Sequence, residues 1–287
     1  MKMKKKWICA VASILCAAVI SVTAAVPTTA QAASNMVPDY EVKMLMPPSA
    51  VLGGDAKLTA DVKSAFGMPD TVTKMNVQFL DTDDQALNQN GWNTRIRKTE
   101  GESGFELTYK KRYPVTNNDI DGALSNANLD GFDVNDSNYE AQIEWGYQKK
   151  TLSISRKKSG SKSGYSGMDL PNLKDSRSLL VNHAPDQFDD DLFSGWGTGA
   201  LSGSRIYGPV LAKRSEGTWS GLKTYIEVWP VKNAAGTGME YIVEISFKTK
   251  DRAAASAKSA ALQTYLQSKG WFLPQDSLKT QVILDRY

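Results

Sequence analysis

The sequence has only two cysteines and one histidine. Both cysteines, Cys9 and Cys16, fall in the first 32 residues, so the rest of the chain carries no thiol. That excludes disulfides, a cysteine nucleophile and a thiolate zinc site from residue 33 onward. His183 has no cysteine or second histidine to join it, as a zinc centre or a Ser-His-Asp triad would need. An excess of one charge is also lacking: 34 Lys and Arg face 31 Asp and Glu, with 41% hydrophobic residues. Residues 1–32 hold four of the lysines and no acid; without them 30 basic residues face 31 acidic ones, a net of −1. Bulk attraction to nucleic acid is thereby excluded, and no nucleic-acid partner is expected. The composition is that of a globular protein, neither disordered, collagen-like nor a multi-span membrane protein. No internal repeat is visible.

The N-terminus reads as an export signal. Lys2, Lys4, Lys5 and Lys6 precede an uncharged apolar stretch, Trp7 to Val26, followed by Pro27 and Ala30-Gln31-Ala32. A basic start, an apolar middle and small residues at the end predict a signal peptide over 1–32, cleaved after Ala32, and a secreted, extracellular protein. The alternative is an uncleaved anchoring helix, since about 18 apolar residues can span a bilayer. The A-x-A ending favours cleavage, with no stable membrane span afterwards. Cys16 follows Leu15 rather than a small residue, so lipidation is not expected. Residues 33–287 read as a single domain with a Gly/Ser-rich insertion at about 158–204.

Apolar alternation predicts strands near 38–46, 72–80, 92–98, 104–113, 138–147, 150–157, 205–214, 222–230, 239–248 and 278–285. Leu58, Val62 and Phe66, at spacing four, predict a helix over 55–66. Asp251 as cap, an Ala-rich run, Leu262 and Leu266 on one face and Gly270 at the end predict a helix over 251–268. One more is expected near 175–183. Many strands with few helices indicate an α+β, mostly antiparallel fold or a barrel.

Charges fall at alternate positions of these strands. Asp39, Glu41 and Lys43 share a face, as do Arg95 and Arg97, then Thr108, Lys110 and Arg112, then Glu140, Gln142 and Glu144. One reading is an antiparallel sheet with a solvated face. The other is a barrel with a polar interior, in which Arg and Lys hold an anion and carboxylates a divalent cation. The second arrangement suits polyphosphate chemistry.

Phe79-Leu-Asp81-Thr82, Gly91 and Arg95-Ile-Arg97, followed by Leu107-Thr-Tyr-Lys110, resemble the motifs of the CYTH superfamily, the triphosphate tunnel metalloenzymes. That family's opening Glu-x-Glu-x-Lys strand is matched by Asp39-Tyr-Glu41-Val-Lys43. The resemblance is strong over 37–112, moderate over 138–157 and 205–250, and absent through 158–204. It implies an eight-stranded closed tunnel with flanking helices and metal-dependent hydrolysis or cyclisation of a triphosphate. Carried over, it makes Lys43, Arg95, Arg97, Lys110 and Arg214 phosphate-binding, with Arg156 as rival to Arg214. Asp39, Glu41, Glu227 and Glu244 become ligands for Mg²⁺ or Mn²⁺, and Glu41 and Lys43 the catalytic pair. Either Glu140 or Glu144 matches a middle-strand acid, and Lys279 weakly matches a base on the final strand. The chain departs from the family at Glu244-Ile-Ser246, where a second Glu is usual. A hydroxyl is a poor ligand for a hard cation, and Glu240 on the same face would lie about 13 Å from Glu244.

Weaker signals read blandly. Asn117-x-Asp119-x-Asp121-Gly122 starts like a calcium loop but lacks the closing Glu, so a solvated turn is expected. Asp189 to Asp191 read as an exposed acidic run and Gly195-x-Gly197-x-Gly199 as a flexible turn. The scattered Trp residues read as packing, and Lys157, Lys158 and Lys162 equally as a solvated loop or as a polyanion contact. Three functions remain: an exported phosphohydrolase acting on inorganic tri- or polyphosphate or an organic triphosphate, which is favoured; a polyanion-binding module of the same fold that has lost its metal; and a structural scaffold.

Overall fold

Nine short runs of alternating side chains form strands in the computed structural model, which describes residues 33–276 and 279–287. The export signal expected over 1–32 lies outside the described residues. The strands are β1 (Asp39–Met46), β2 (Thr73–Asp81), β3 (Trp92–Thr99), β4 (Phe105–Pro114), β5 (Glu140–Trp145), β6 (Lys150–Gly160), β7 (Arg205–Trp219), β8 (Leu222–Lys232) and β9 (Met239–Thr249). They close into one barrel in the order β1-β5-β6-β4-β3-β2-β7-β8-β9. Every neighbouring pair is antiparallel except β1 and β5, which run parallel. The fold is the expected α+β barrel, with nine strands rather than eight.

The helices are α1 (Pro48–Val51), α2 (Ala60–Phe66), α3 (Ala86–Gln89), α4 (Ile120–Leu129), α5 (Leu173–Asn182), α6 (Asp186–Asp189), α7 (Trp196–Gly203), α8 (Arg252–Ser268) and α9 (Lys279–Arg286). In α8 the Asp251 carboxylate accepts from the Ala254 amide, and Ala255, Leu262 and Leu266 are buried. Gly270, at φ 69°, ends it while the Trp271 amide returns to the Leu266 carbonyl at 2.8 Å, closing the orphan carbonyls.

The main apolar core lies outside the barrel wall. Val42, Met44, Leu107, Tyr109, Ile143, Ile154, Ile226 and Phe247 point away from the lumen and pack with Val62, Phe66, Leu180, Phe188, Leu262 and Leu266 of the surrounding helices. Burying each such side chain contributes about 1.5–3 kcal/mol, so the outer shell supplies the apolar stabilisation and leaves much of the lumen free to be polar. One end of the lumen is apolar instead. Met75, Val77, Phe79, Trp229 and Val231 cluster there with Ile283 and Leu284 of α9, which fills that end.

Several expectations are corrected. Residues 279–286 are a helix, not a final strand, because a short apolar run fits either period. Its buried residues, Thr280, Ile283 and Leu284, follow helical spacing. The helix expected from residue 55 starts at Ala60 behind the cap Thr59. Asp119 belongs to no calcium loop and is not a bare turn: its side chain accepts from the Gly122 amide at 2.8 Å and caps α4. Gly197 and Gly199 lie inside α7 rather than in a flexible turn. A Cβ on Gly197 would sit 2.5 Å from the Phe188 carbonyl oxygen, so only glycine lets α7 approach α6 this closely. The acidic run is not simply solvated either. Asp189 accepts from the Thr198 amide, Asp190 from the Gly195 amide, and Asp191 pairs with Lys111 of β4. These contacts hold part of the 158–204 segment against the outer wall.

Candidate functional site

Strand parity builds the site. Side chains at alternate positions of the barrel wall face inward, so Glu41 and Lys43, Arg95 and Arg97, Lys110 and Arg112, and Glu227 project into a common cavity of about 380 Å³. Nine Lys or Arg and six Glu line it, an excess of three positive charges. A second cavity of about 670 Å³ shares Arg97, Glu106, Lys157 and Arg214 with this wall and runs on past Ser159 to Ser161.

The charges are organised in three groups. Glu144, only 4% exposed, accepts from Lys43 at 2.7 Å and Lys110 at 3.0 Å, with the Arg112 guanidinium at 3.8 Å. Glu106 bridges Arg95 and Arg97, each at 2.6 Å. Glu227 accepts from Arg214 Nε at 2.9 Å and Nη2 at 2.7 Å, from Trp229 Nε1 at 2.8 Å and from Lys279 Nζ at 2.7 Å. Lys279 also reaches Glu244 at 2.7 Å. Around the mouth Gln142 links Glu41 and Lys248, both at 2.7 Å.

The electrostatics follow from burial and neighbours. Burial raises the Glu144 carboxyl, but Lys110, Lys43 and Arg112 outweigh it and hold the group well below the ordinary carboxylate range. Glu227 behaves alike: burial opposes ionisation, yet Lys279 and Arg214 keep it firmly ionised. Lys110 is pushed down to about 8, first by burial; Glu144 opposes the shift, while Arg112 and Arg95 add to it. Arg97 comes down to about 10 through burial and the adjacent Arg95, and stays charged at neutral pH. The Nε atoms of Arg95, Arg97 and Arg112 are buried without an acceptor. Cations that crowd one another around a cavity favour an anion there.

The structure brings Lys43, Arg95, Arg97, Lys110, Arg214, Glu41, Glu227 and Glu244 to the cavity wall. Asp39 is not on that wall and is exposed at the start of β1. Of the two middle-strand acids, Glu144 is buried among the cations, whereas Glu140 pairs with Lys157 and is 67% exposed. Arg156 lies over the Tyr139 ring, away from the cavity. Glu240 pairs with Arg286 and does not line the cavity either. Lys279 does reach the acids, though from the first turn of a helix. Sequence reasoning did not select Arg112, Glu106, Lys157 or Lys248. Arg112 and Glu106 were signalled by period two from Lys110; Lys248 was signalled by the same period from Glu244.

Three of the acids expected to hold Mg²⁺ or Mn²⁺, Glu41, Glu227 and Glu244, are already engaged by neighbouring side chains. A carboxylate offers about four lone-pair sites, and the four donors from Arg214, Trp229 and Lys279 occupy those of Glu227. Glu41 is engaged by Gln142, Glu244 by Lys279, and Ser246 puts a hydroxyl where the resemblance leads a carboxylate to be expected. Among the described residues no three His, Cys, Asp or Glu converge on a metal site.

No family model and no curated protein matches the chain. Solved structures do. A Hippeastrum protein, assigned as an adenylyl cyclase and described as having a dominant triphosphatase activity, aligns with 86% of this chain and 99% of its own at 14% identity and TM-score 0.51. A protein of Bacillus halodurans assigned as an adenylate cyclase covers 88% of this chain and 98% of its own at 14% identity and TM-score 0.48. The chain shares its closed-barrel fold with the Hippeastrum protein, in keeping with the fold implied by the resemblance of its strand motifs.

Proposed function

We propose that this barrel binds the phosphate chain of inorganic tri- or polyphosphate, or of an organic triphosphate, inside its lumen. The observation that carries the reading is the surplus of nine Lys or Arg over six Glu around one cavity. Phosphate charge offsets the crowding of cations that depresses Lys110. The adjoining cavity gives room for further phosphates or for the organic part of an ester. If residues 1–32 are removed on export, the protein meets its ligand outside the cell.

A second reading, metal-dependent hydrolysis of the bound phosphate, is favoured by the triphosphatase activity described for the Hippeastrum protein. Against it stand the acids engaged by neighbouring side chains, so binding is the better-supported conclusion. One experiment tests both. The purified protein is mixed with tripolyphosphate, with and without Mg²⁺ or Mn²⁺, while melting temperature and phosphate release are followed. A ligand-dependent rise in melting temperature without release supports binding. Metal-dependent release, abolished by Glu41→Gln, establishes the hydrolase. Neither signal overturns both readings.

A further inference from the structure

We infer that Lys279 is a built-in cation that closes the Glu227–Glu244 pair to divalent metal, so that the lumen takes its phosphate ligand without one. The inference rests on the phosphate-binding reading and sharpens it. Glu227 of β8 and Glu244 of β9 are directly opposed in register, the placement that brings two carboxylates together. The Lys279 ammonium lies 2.7 Å from an oxygen of each. It therefore sits where two facing carboxylates would otherwise draw a cation from solution.

Three observations make this a fixed arrangement. First, Glu227 has no acceptor capacity left once Arg214, Trp229 and Lys279 have donated to it. Second, Ser246 faces the same lumen two residues beyond Glu244 and adds no negative charge. Mg²⁺ dehydrates reluctantly and needs one or two carboxylates free to approach it, together with ligand phosphates. Third, Lys279 opens α9, where an ammonium opposes the helix dipole. The two carboxylates offset that conflict, and Ile283 and Leu284 seat the helix among inward apolar side chains. Arg214 and Lys279 together balance the two acids. The positive charge left for a phosphate chain then sits on Lys43, Lys110, Arg112, Arg95 and Arg97.

The test uses Mn²⁺ alone, read by its electron paramagnetic resonance signal, and tripolyphosphate titrated calorimetrically in EDTA or in Mg²⁺. The expected results are tripolyphosphate binding in EDTA and no saturable Mn²⁺ binding by the unmodified protein. Lys279→Met should bind Mn²⁺ saturably, at least about tenfold more tightly than any residual binding by the unmodified protein, by removing a like charge beside the acids. Lys279→Arg should remain blind to Mn²⁺. Tripolyphosphate binding that requires Mg²⁺, or stoichiometric Mn²⁺ binding by the unmodified protein, overturns the inference and leaves the phosphate reading intact. Absence of tripolyphosphate binding under both conditions overturns the phosphate reading itself. The measurements on the unmodified protein need no variant, so misfolding of Lys279→Met does not remove the test.

Discussion

Lys43 on β1 and Glu144 on β5 form a 2.7 Å ion pair across the single parallel seam of the barrel, joining residues 101 positions apart. Glu144 also takes Lys110, with Arg112 close by, so one buried carboxylate organises three cations. Replacing it leaves those charges buried together without a counter-ion. Glu144→Gln should destabilise the protein by about 3–5 kcal/mol, the usual cost of breaking a buried pair from one side. Tripolyphosphate should restore more stability to this variant than to the unmodified protein. Urea unfolding with and without the ligand checks both statements; an unchanged midpoint contradicts the assigned role.

Lys43→Ala and Arg95→Ala each remove one donor to the ligand while leaving the acid beside it with another cation, Lys110 or Arg97. Each should weaken tripolyphosphate binding by on the order of 1–3 kcal/mol with little loss of fold. Calorimetric titration reads the effect. Unchanged affinity in both variants removes the lumen as the binding site.

Lys110 titrates near 8 in the free protein, chiefly because it is buried. A bound phosphate anion raises that value, so above pH 8 binding takes up a proton and affinity falls as pH rises toward the ordinary lysine value of 10.5. Below pH 8 Lys110 is charged in both states and contributes no slope. Affinity measured across this range should show the decline, and Lys110→Met should flatten it. An equal decline in both proteins assigns the slope to the ligand instead.

Phe188 ties the 158–204 segment to the barrel. It is fully buried, with its ring centroid 5.1 Å from Trp92 of β3 and 5.2 Å from Tyr109 of β4. Phe188→Ala should cost about 3–5 kcal/mol. Because these contacts lie on the outer wall, the folded fraction should keep its tripolyphosphate affinity. A large loss of affinity in the folded protein would show that the segment shapes the lumen.

Expression of the full chain in a secreting bacterium should yield an extracellular product whose N-terminal residue is Ala33. Mass spectrometry of the culture medium and the cell membrane decides this; an uncleaved, membrane-retained chain contradicts export.

Much of the barrel was legible because strand and lumen obey one local rule. Period-two alternation marked nine of the ten expected strands, and the same parity set Lys43, Arg95, Arg97, Lys110 and Glu227 on inward positions. Shorter helices were harder to read. α4 hid behind Asp119, which reads equally as a turn or a cap, and α7 behind glycines that serve close packing. The 279–286 run was too short for its period to separate helix from strand.

The sequence by itself determined which side chains share a strand face and that those faces carry both signs, since parity along a strand needs no partner. Only the tertiary structure decided which charge meets which. Glu144 gathers Lys43 and Lys110, Glu106 takes Arg95 and Arg97, and Lys279 arrives from α9 to bridge Glu227 and Glu244. The physical reason is that these pairings depend on barrel closure and register between strands far apart in the chain, whereas parity is settled within a few residues.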